Sequence, residues 1–325
     1  MHEILEILKN GKNLLAFSHG SDSTALFYIL KNIGVSFDMA MINYKTRKQS
    51  DEEEKSARKL ANKFGKTLHI KVAKLDLSKS SNFESIARDI RWSFFEELAI
   101  KFGYTNIITA HQMNDKFEWF LMQLSKGAGL NELLGMDKID KKEHFSVIRP
   151  LLDVSKQEIM SFLEENKIHF FHDSSNDNFK FKRNFIRSNF SDEFIKFYAN
   201  GLKRSFDMLK SDAKALQSEI VFRKDELFII KNDECFLRGI DECLKKLGYV
   251  MSQNQRKNIT KSCVIGGKFV ICKNEKFIFI APFVDVKMDK KFKELCRVLK
   301  VPDKIRPYLA SKNIDVKILK EYLTF

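Results

Sequence analysis

Six consecutive residues near the N-terminus, Ser18-His19-Gly20-Ser21-Asp22-Ser23, combine three hydroxyls, a glycine and a carboxylate directly after a short apolar run, Asn13–Phe17. A turn of this kind between a strand and a helix offers an anion unpaired backbone N–H groups, the positive end of the helix and side-chain donors. Gly20 lets the backbone turn tightly and approach a phosphate. Asp22 repels a bare phosphate, so it makes sense there as a metal ligand or as a cap. A serine-rich turn whose aspartate simply caps the helix has the same composition, and the hexapeptide alone does not separate the two.

Three further constellations could do chemistry. His111 ends a strand-like run, and Asp115 and Glu118 follow at +4 and +7. If the next helix begins early enough, one face carries all three, and its carboxylates could hold Mg²⁺ or an incoming ammonium group; a helix start decorated with acids is the plainer alternative. Arg88 and Arg91 lie three apart with Glu84 one turn before Arg88, which reads either as a fork for phosphate or developing negative charge or as a surface ion pair. Arg183, Asn184 and Arg187 close a polar stretch from Phe170, where loop position favours binding over solvated charge. The pairs Phe94 and Phe95, Phe170 and Phe171, and Phe179 and Phe181 could stack on bases, but with 30 phenylalanines in the chain core packing is the expected fate of most.

The elements that must position these groups alternate. Strand candidates at Asn13–Phe17, Phe37–Asn43, Thr67–Ala73 and Asn106–Ala110 are separated by helical patterns at Thr24–Lys31, Asp51–Phe64 and Phe83–Phe102, and a further helix is expected over about Asp115–Ser125. Strand and helix in turn predict an α/β fold with a doubly wound parallel sheet, whose ligands sit beyond the carboxyl ends of the strands. The acidic run Asp51–Glu54 reads as a solvated helix start. Residues 1–190 form the expected α/β domain that carries these groups, 191–220 a helical linker, and 221–325 a smaller α+β domain announced by the runs LFIIK, KFVICK and KFIFIAPF.

Length and composition bound the class. A chain of 325 residues with 44% hydrophobic residues suits a large domain plus a smaller one. No run approaches a membrane span and the first residues lack an apolar signal core, so a cytoplasmic protein without a membrane partner is expected. The formal charge of +14 attracts polyanions, although lysine enrichment beside abundant Phe and Asn also follows from a biased coding composition. All five cysteines fall at or after Cys235 with no C-x-x-C pair, as expected of buried thiols in a reducing compartment.

The hexapeptide resembles the S-G-G-x-D-S loop of the PP-loop ATP pyrophosphatases, with His19 in place of the first glycine. An ordered set of further stretches resembles one branch of them, the tRNA(Ile)-lysidine synthases. Glu84-Ser-Ile-Ala-Arg88-Asp-Ile-Arg91-Trp92 is similar to its E-x-x-A-R-x-x-R-[YW] helix. Ala110-His111-Gln-Met-Asn114-Asp115-Lys116-Phe-Glu118 is similar to A-H-x-x-D-D-Q-x-E, departing at Asn114 and Lys116. Gly127-Ala-Gly129-Leu130, Gly135-Met136, Arg149-Pro-Leu-Leu-Asp153-Val, Asp173-Ser-Ser175-Asn176 and Arg183-Asn184-Phe-Ile-Arg187 follow in order. Where the family has Asp-His-Gly before an arginine, this chain has Asn43-Tyr44-Lys45, and only Arg47 stands.

The resemblance implies an adenine-nucleotide α-hydrolase-like fold and a ligase. ATP adenylates O2 of the wobble cytidine in a CAU-anticodon isoleucine tRNA, and the amine of free L-lysine then displaces AMP to give lysidine. It implies ATP on Ser18, His19, Gly20, Ser21, Asp22, Ser23 and His111, with Mg²⁺ on Asp22 and Asp115. Asp22, Arg88, Arg91 and Asp115 are the implied catalytic groups, and Asp115, Glu118, Arg183, Asn184 and Arg187 the implied contacts to lysine and tRNA. The shorter members of the branch suggest a homodimer. Two rivals stay open at this point. Another PP-loop tRNA-modifying enzyme such as a thiolase is disfavoured because residues 1–234 contain no cysteine. A non-catalytic nucleotide- or tRNA-binding relative is kept in view by His19, Asn114 and Asn43-Tyr44-Lys45.

Overall fold

The computed structural model describes residues 2–45, 49–73, 83–172, 182–259 and 261–323. The expectations placed on Arg47, on Asp173, Ser175 and Asn176, on Phe179 and Phe181, and on the side chain of Glu84 lie outside the described residues. Two compact units are present, Met1–Lys210 and Ser211–Phe325.

In the first unit, α1 (His2–Asn10) leads into β1 (Asn13–Ala16), α2 (Ser21–Asn32), β2 (Asp38–Asn43), α3 (Gln49–Lys63), β3 (Leu68–Val72), α4 (Phe83–Phe102) and β4 (Asn106–Ile108). From β1 onward these elements fall within a few residues of the sequence expectation, which placed no helix before β1. Then come α5 (Met113–Leu124), α6 (Leu130–Leu134), β5 (Ile139–Lys141), β6 (Ser146–Ile148) and α7 (Lys156–Glu165). The sheet runs β3-β2-β1-β4-β6-β5, parallel except for the edge strand β5.

Adjacent residues on each central strand face opposite layers, as the period of two requires. Leu15, Ile108 and Ile148 join the core under α2 and α7, whereas Leu14, Ile107 and Val147 join Phe94, Phe95 and Leu98 of α4. Burial on both faces is why these strands are continuous apolar runs. Phe94 and Phe95 are therefore core residues. Chain order reverses beside β1, which pairs with β2 on one side and β4 on the other. That places a crevice at the carboxyl ends of β1 and β4.

Two expectations are corrected. The polar stretch ending at Arg187 is helical from Lys182: α8 (Lys182–Ile186) continues through a π-helical turn, Arg187–Ser191, into α9 (Asp192–Ala215). The acids at the start of α3 are not simply solvated, since Glu53 is buried and Asp51 and Glu54 both accept hydrogen bonds from Asn43 Nδ2, at 2.9 and 2.8 Å.

The second unit is α+β. A five-stranded antiparallel sheet, in the order β7-β8-β11-β10-β9, is built from β7 (Ile220–Lys224), β8 (Leu227–Lys231), β9 (Cys263–Ile265), β10 (Phe269–Lys273) and β11 (Phe277–Pro282). Leu227, Ile229, Val270 and Phe279 pack beneath the helices that follow β11, and Phe228, Ile230, Ile271 and Ile280 pack against α10 (Phe236–Lys246). Cys243, Cys272 and Cys296 are buried free thiols, and burial pushes the Cys272 thiol up to about 11.

Candidate ATP and substrate site

The loop after β1 closes on itself. Ser18 N–H donates to Ser23 Oγ at 3.2 Å, Ser23 Oγ donates to Gly20 O at 3.2 Å, and Ser18 Oγ lies 3.1 Å from Ser23 Oγ. Gly20 is the N-cap of α2 and provides no side-chain cap, so the first N–H groups of the helix face outward for an anion. Its φ is −74°, and a Cβ there would meet only Ser18 Oγ, at 3.5 Å. The fold alone thus tolerates alanine at position 20, and a close backbone approach by ligand is what favours glycine.

His19, at the family's glycine position, keeps the left-handed conformation with φ 63°. Its ring is buried between Phe17 and Phe171, with centroids 5.0 and 5.1 Å away, and both ring nitrogens are closed off without partners among the described residues. Burial holds its pKa below the ordinary value. The ring belongs to the core, and what His19 can offer ATP is main chain. Its carbonyl accepts from Phe171 N–H at 3.0 Å, which fixes Phe171 as a packing residue beside the loop. The other departure at a family glycine repeats the pattern: Lys45 has φ 54°, and its N–H is held by Asn43 Oδ1 at 2.9 Å. Tyr44 Oη donates to Ala87 O at 2.9 Å and so ties the end of β2 to α4.

Asp22 is half-buried, and burial pushes its carboxyl pKa up, while Lys156 pulls it down and Asp115 adds to the rise. Lys156, which contacts Asp22 through Nζ, also donates its backbone N–H to Asn114 Oδ1 at 3.1 Å, which ties the phosphate loop to the start of α5. His111 is bonded to Thr109 Oγ1 through Nδ1 at 2.9 Å. Burial pulls its pKa down to about 4, opposed by Asp115 and assisted by Arg149, Arg183 and Arg91. At neutral pH it is an uncharged imidazole at the carboxyl end of β4. Helix α5 begins at Met113, after His111, so only Asp115 and Glu118 share its face.

Asp115 has two tasks. Its Oδ2 accepts Gln112 N–H at 3.0 Å in a capping box, and its Oδ1 takes Arg183 Nη2. Glu118 is fully buried and accepts Arg183 Nε at 2.8 Å and Arg187 Nε and Nη2 at 2.6 and 3.1 Å. Burial opposes the Arg183 charge, but the two carboxylates outweigh it and hold the guanidinium pKa above its usual range. Arg88 and Arg91 are exposed on α4, and neither has an ion-pair partner among the described residues. Their fields reach Arg149 and His111 respectively. Asn184 is buried and hydrogen-bonded Ser188 crosses back to its carbonyl at 3.1 Å.

The remaining departures have packing reasons. Asn114 Nδ2 donates to Asp192 Oδ1 at 2.7 Å, while its Oδ1 accepts Lys156 N–H at 3.1 Å. Lys116 is buried with its ammonium 4.2 Å from the Phe206 ring. Sequence reasoning missed Asp192 and Lys156. The latter left one signal, a cation in the first turn of α7 where the helix dipole disfavours it.

A divalent cation finds one carboxylate open to it at the loop, Asp22, whereas both Asp115 oxygens are taken, by Gln112 N–H and by Arg183. Among the described residues no three His, Cys, Asp or Glu side chains gather as a metal cage. Most ligands would then come from phosphates and water, as Mg²⁺ prefers.

The PP-loop domain family matches residues 1–194. A tRNA(Ile)-lysidine synthase of Campylobacter jejuni subsp. jejuni is 48% identical over 321 residues, covering 98% of this chain and 98% of its own. Those of Helicobacter pylori strain 26695 and Wolinella succinogenes are each 40% identical, covering 94% and 95% of this chain and 91% and 96% of theirs. Among solved structures, the U34-tRNA thiolase NcsA from Methanococcus maripaludis superposes with a TM-score of 0.54 at 18% identity, over 63% of this chain and 74% of its own. That likeness is one of fold.

Proposed function

Because the chain belongs to the tRNA(Ile)-lysidine synthase family of PP-loop proteins, we propose that it ligates L-lysine to C2 of the wobble cytidine of a CAU-anticodon isoleucine tRNA, converting ATP to AMP and pyrophosphate. The observation that supports the site assignment is the bridge from the phosphate loop to the start of α5, where Lys156 contacts Asp22 with its ammonium and Asn114, next to Asp115, with its backbone N–H.

The N–H groups at the start of α2 and the hydroxyl of Ser21 cradle the β and γ phosphates, while Ser18 and Ser23 hold the loop in shape. Mg²⁺, held by Asp22, would neutralise the leaving pyrophosphate, which leaves Asp115 to the lysine. Neutral His111 accepts a hydrogen bond from the nucleotide. As cytidine O2 attacks the α-phosphate, the O–P bond forms and the bond to pyrophosphate breaks, with Arg88 and Arg91 facing the negative charge that develops. The lysine ammonium, brought in by Asp115, gives a proton to solvent and its amine attacks C2; the C2–N bond forms, the C2–O2 bond breaks, and AMP departs with the O2 atom. Glu118 is saturated by two guanidinium groups, so its role is to hold Arg183 and Arg187 beside the substrates while Asp115 meets the ammonium. Arg183, Asn184 and Arg187 supply the tRNA contacts of this region. Residues 1–190 act as the catalytic domain, 191–220 as a helical linker, and 221–325 as the domain that grips the tRNA body. A homodimer and a cytoplasmic location complete the proposal, and among the described residues no helix is long and apolar enough to cross a membrane.

Transfer of radiolabelled lysine to an unmodified isoleucine tRNA transcript tests this reading, with an Asp22→Ala variant and a CAU-anticodon methionine tRNA alongside. Label only with wild type, ATP and the isoleucine tRNA is the expected result. ATP-to-AMP turnover with some other acceptor would keep the adenylation chemistry and overturn the lysidine assignment.

A further inference from the structure

Asp22 poses a problem of charge, since an anionic side chain sits in the first turn of the helix that must receive a polyphosphate. The structure holds a counter-charge in place from another element. Lys156 Nζ contacts Asp22 Oδ1 and lies 2.6 Å from Ser21 Oγ. Lys156 is fixed at both ends, because its backbone N–H is bonded to Asn114 Oδ1 at 3.1 Å. It opens α7, whose N-cap Ser155 forms a capping box with Glu158. One ammonium group from the first turn of α7 therefore reaches Ser21 and Asp22 at the N-terminus of α2. A lysine in the first turn of a helix is disfavoured by the macrodipole, so its position calls for a partner, and the side chain keeps 36% of its surface open to solvent beside the loop.

We propose that Lys156 is a pyrophosphate-binding residue of the ATP site, a role that rests on the reading above of Ser18–Ser23 as the phosphate loop. Without ligand, Asp22 and Ser21 hold the ammonium in position. With ligand, a phosphate oxygen seated on the α2 N-terminus beside Ser21 is within reach of the same Nζ, which donates to it. The contact is with the leaving end of the nucleotide, so it favours binding and departure of pyrophosphate and contributes nothing to the grip on AMP.

The test is calorimetric titration of the full chain with inorganic pyrophosphate and, separately, with AMP, both with Mg²⁺, comparing wild type with Lys156→Met, Lys156→Gln and Lys156→Arg. Both neutral variants should weaken pyrophosphate binding by about tenfold or more, the loss of one charge-assisted hydrogen bond, with AMP affinity unchanged and the arginine variant restoring most of the loss. Thermal midpoints taken in parallel show whether a variant is folded, and the Met and Gln forms serve as alternates for each other. Wild-type pyrophosphate affinity in both neutral variants, or an equal loss for pyrophosphate and AMP, overturns the proposal and leaves Lys156 a tether between α7 and the loop. Wild type that binds neither ligand overturns the ATP site itself, a result distinct from failure of Lys156 alone.

Discussion

Asn114 shows what a single amide can do that a carboxylate cannot. Its nitrogen donates to Asp192 and its oxygen accepts from Lys156 N–H, and an aspartate in its place would set two carboxylates face to face with no donor between them. Asn114→Asp should therefore lower stability by about 2–3 kcal/mol, although it restores the residue typical of the family. Asp192→Asn in that background should recover most of it, as read from urea midpoints in a double-mutant cycle. The neutral histidines make a second prediction. His19 and His111 both have folded pKa values below the ordinary 6.5, with that of His111 near 4, so the unfolded chain takes up protons that the folded one refuses. Their contribution to stability is fully present above about pH 6.5 and is lost as pH falls toward 4, at up to about 1.4 kcal/mol per pH unit for each group. His19→Phe should keep activity and show a shallower loss of denaturant midpoint between pH 7 and 5; an unchanged slope would mean that His19 takes no part.

Helix α8 and the π-helical turn after it are attached to α5 through Glu118, which binds both arginines from a fully buried position. Glu118→Gln should leave two partly buried guanidinium groups underpaired and cost about 2–3 kcal/mol, reduced from the deeply buried case because Arg183 is partly exposed. Hydrogen exchange should rise selectively over 182–191, and uniform protection there would refute the attachment. Elements of this kind also mark the limit of what sequence discloses. β1, β2 and β4 were legible because double-sided burial writes each as a short apolar run bounded by polar turns, β3 because Leu68 and Ile70 alternate with His69 and Lys71 at the sheet edge, and α4 was read to its end residues. The edge strand β5 has no buried residue to form an apolar run, and β6 offers only the pair Val147 and Ile148 before Arg149. The phosphate loop and the Asp115–Glu118 pair were legible because their members are neighbours in the chain. Lys156 meets Asp22 across 134 positions and Asn114 meets Asp192 across 78, and no local pattern records such pairs.

The formal charge of +14 belongs to the molecule as a whole. Neutralising tRNA phosphates releases counterions, so affinity for the isoleucine transcript should fall by at least about tenfold between 50 and 200 mM salt. Filter binding across that range checks it, and a flat response would argue that recognition bypasses the basic surface. The thiol inventory has a different consequence. Every sulfhydryl lies at or beyond Cys235, and Cys243, Cys272 and Cys296 are sealed in the second unit. Alkylating reagents and electrophilic metabolites that hunt for thiolates thus meet no target in the first 234 residues. Brief iodoacetamide treatment should leave AMP binding untouched, and any inactivation it causes would trace to Cys235 or Cys263. The stretch that carries the proposed nucleotide site therefore offers thiol stress nothing to act on directly.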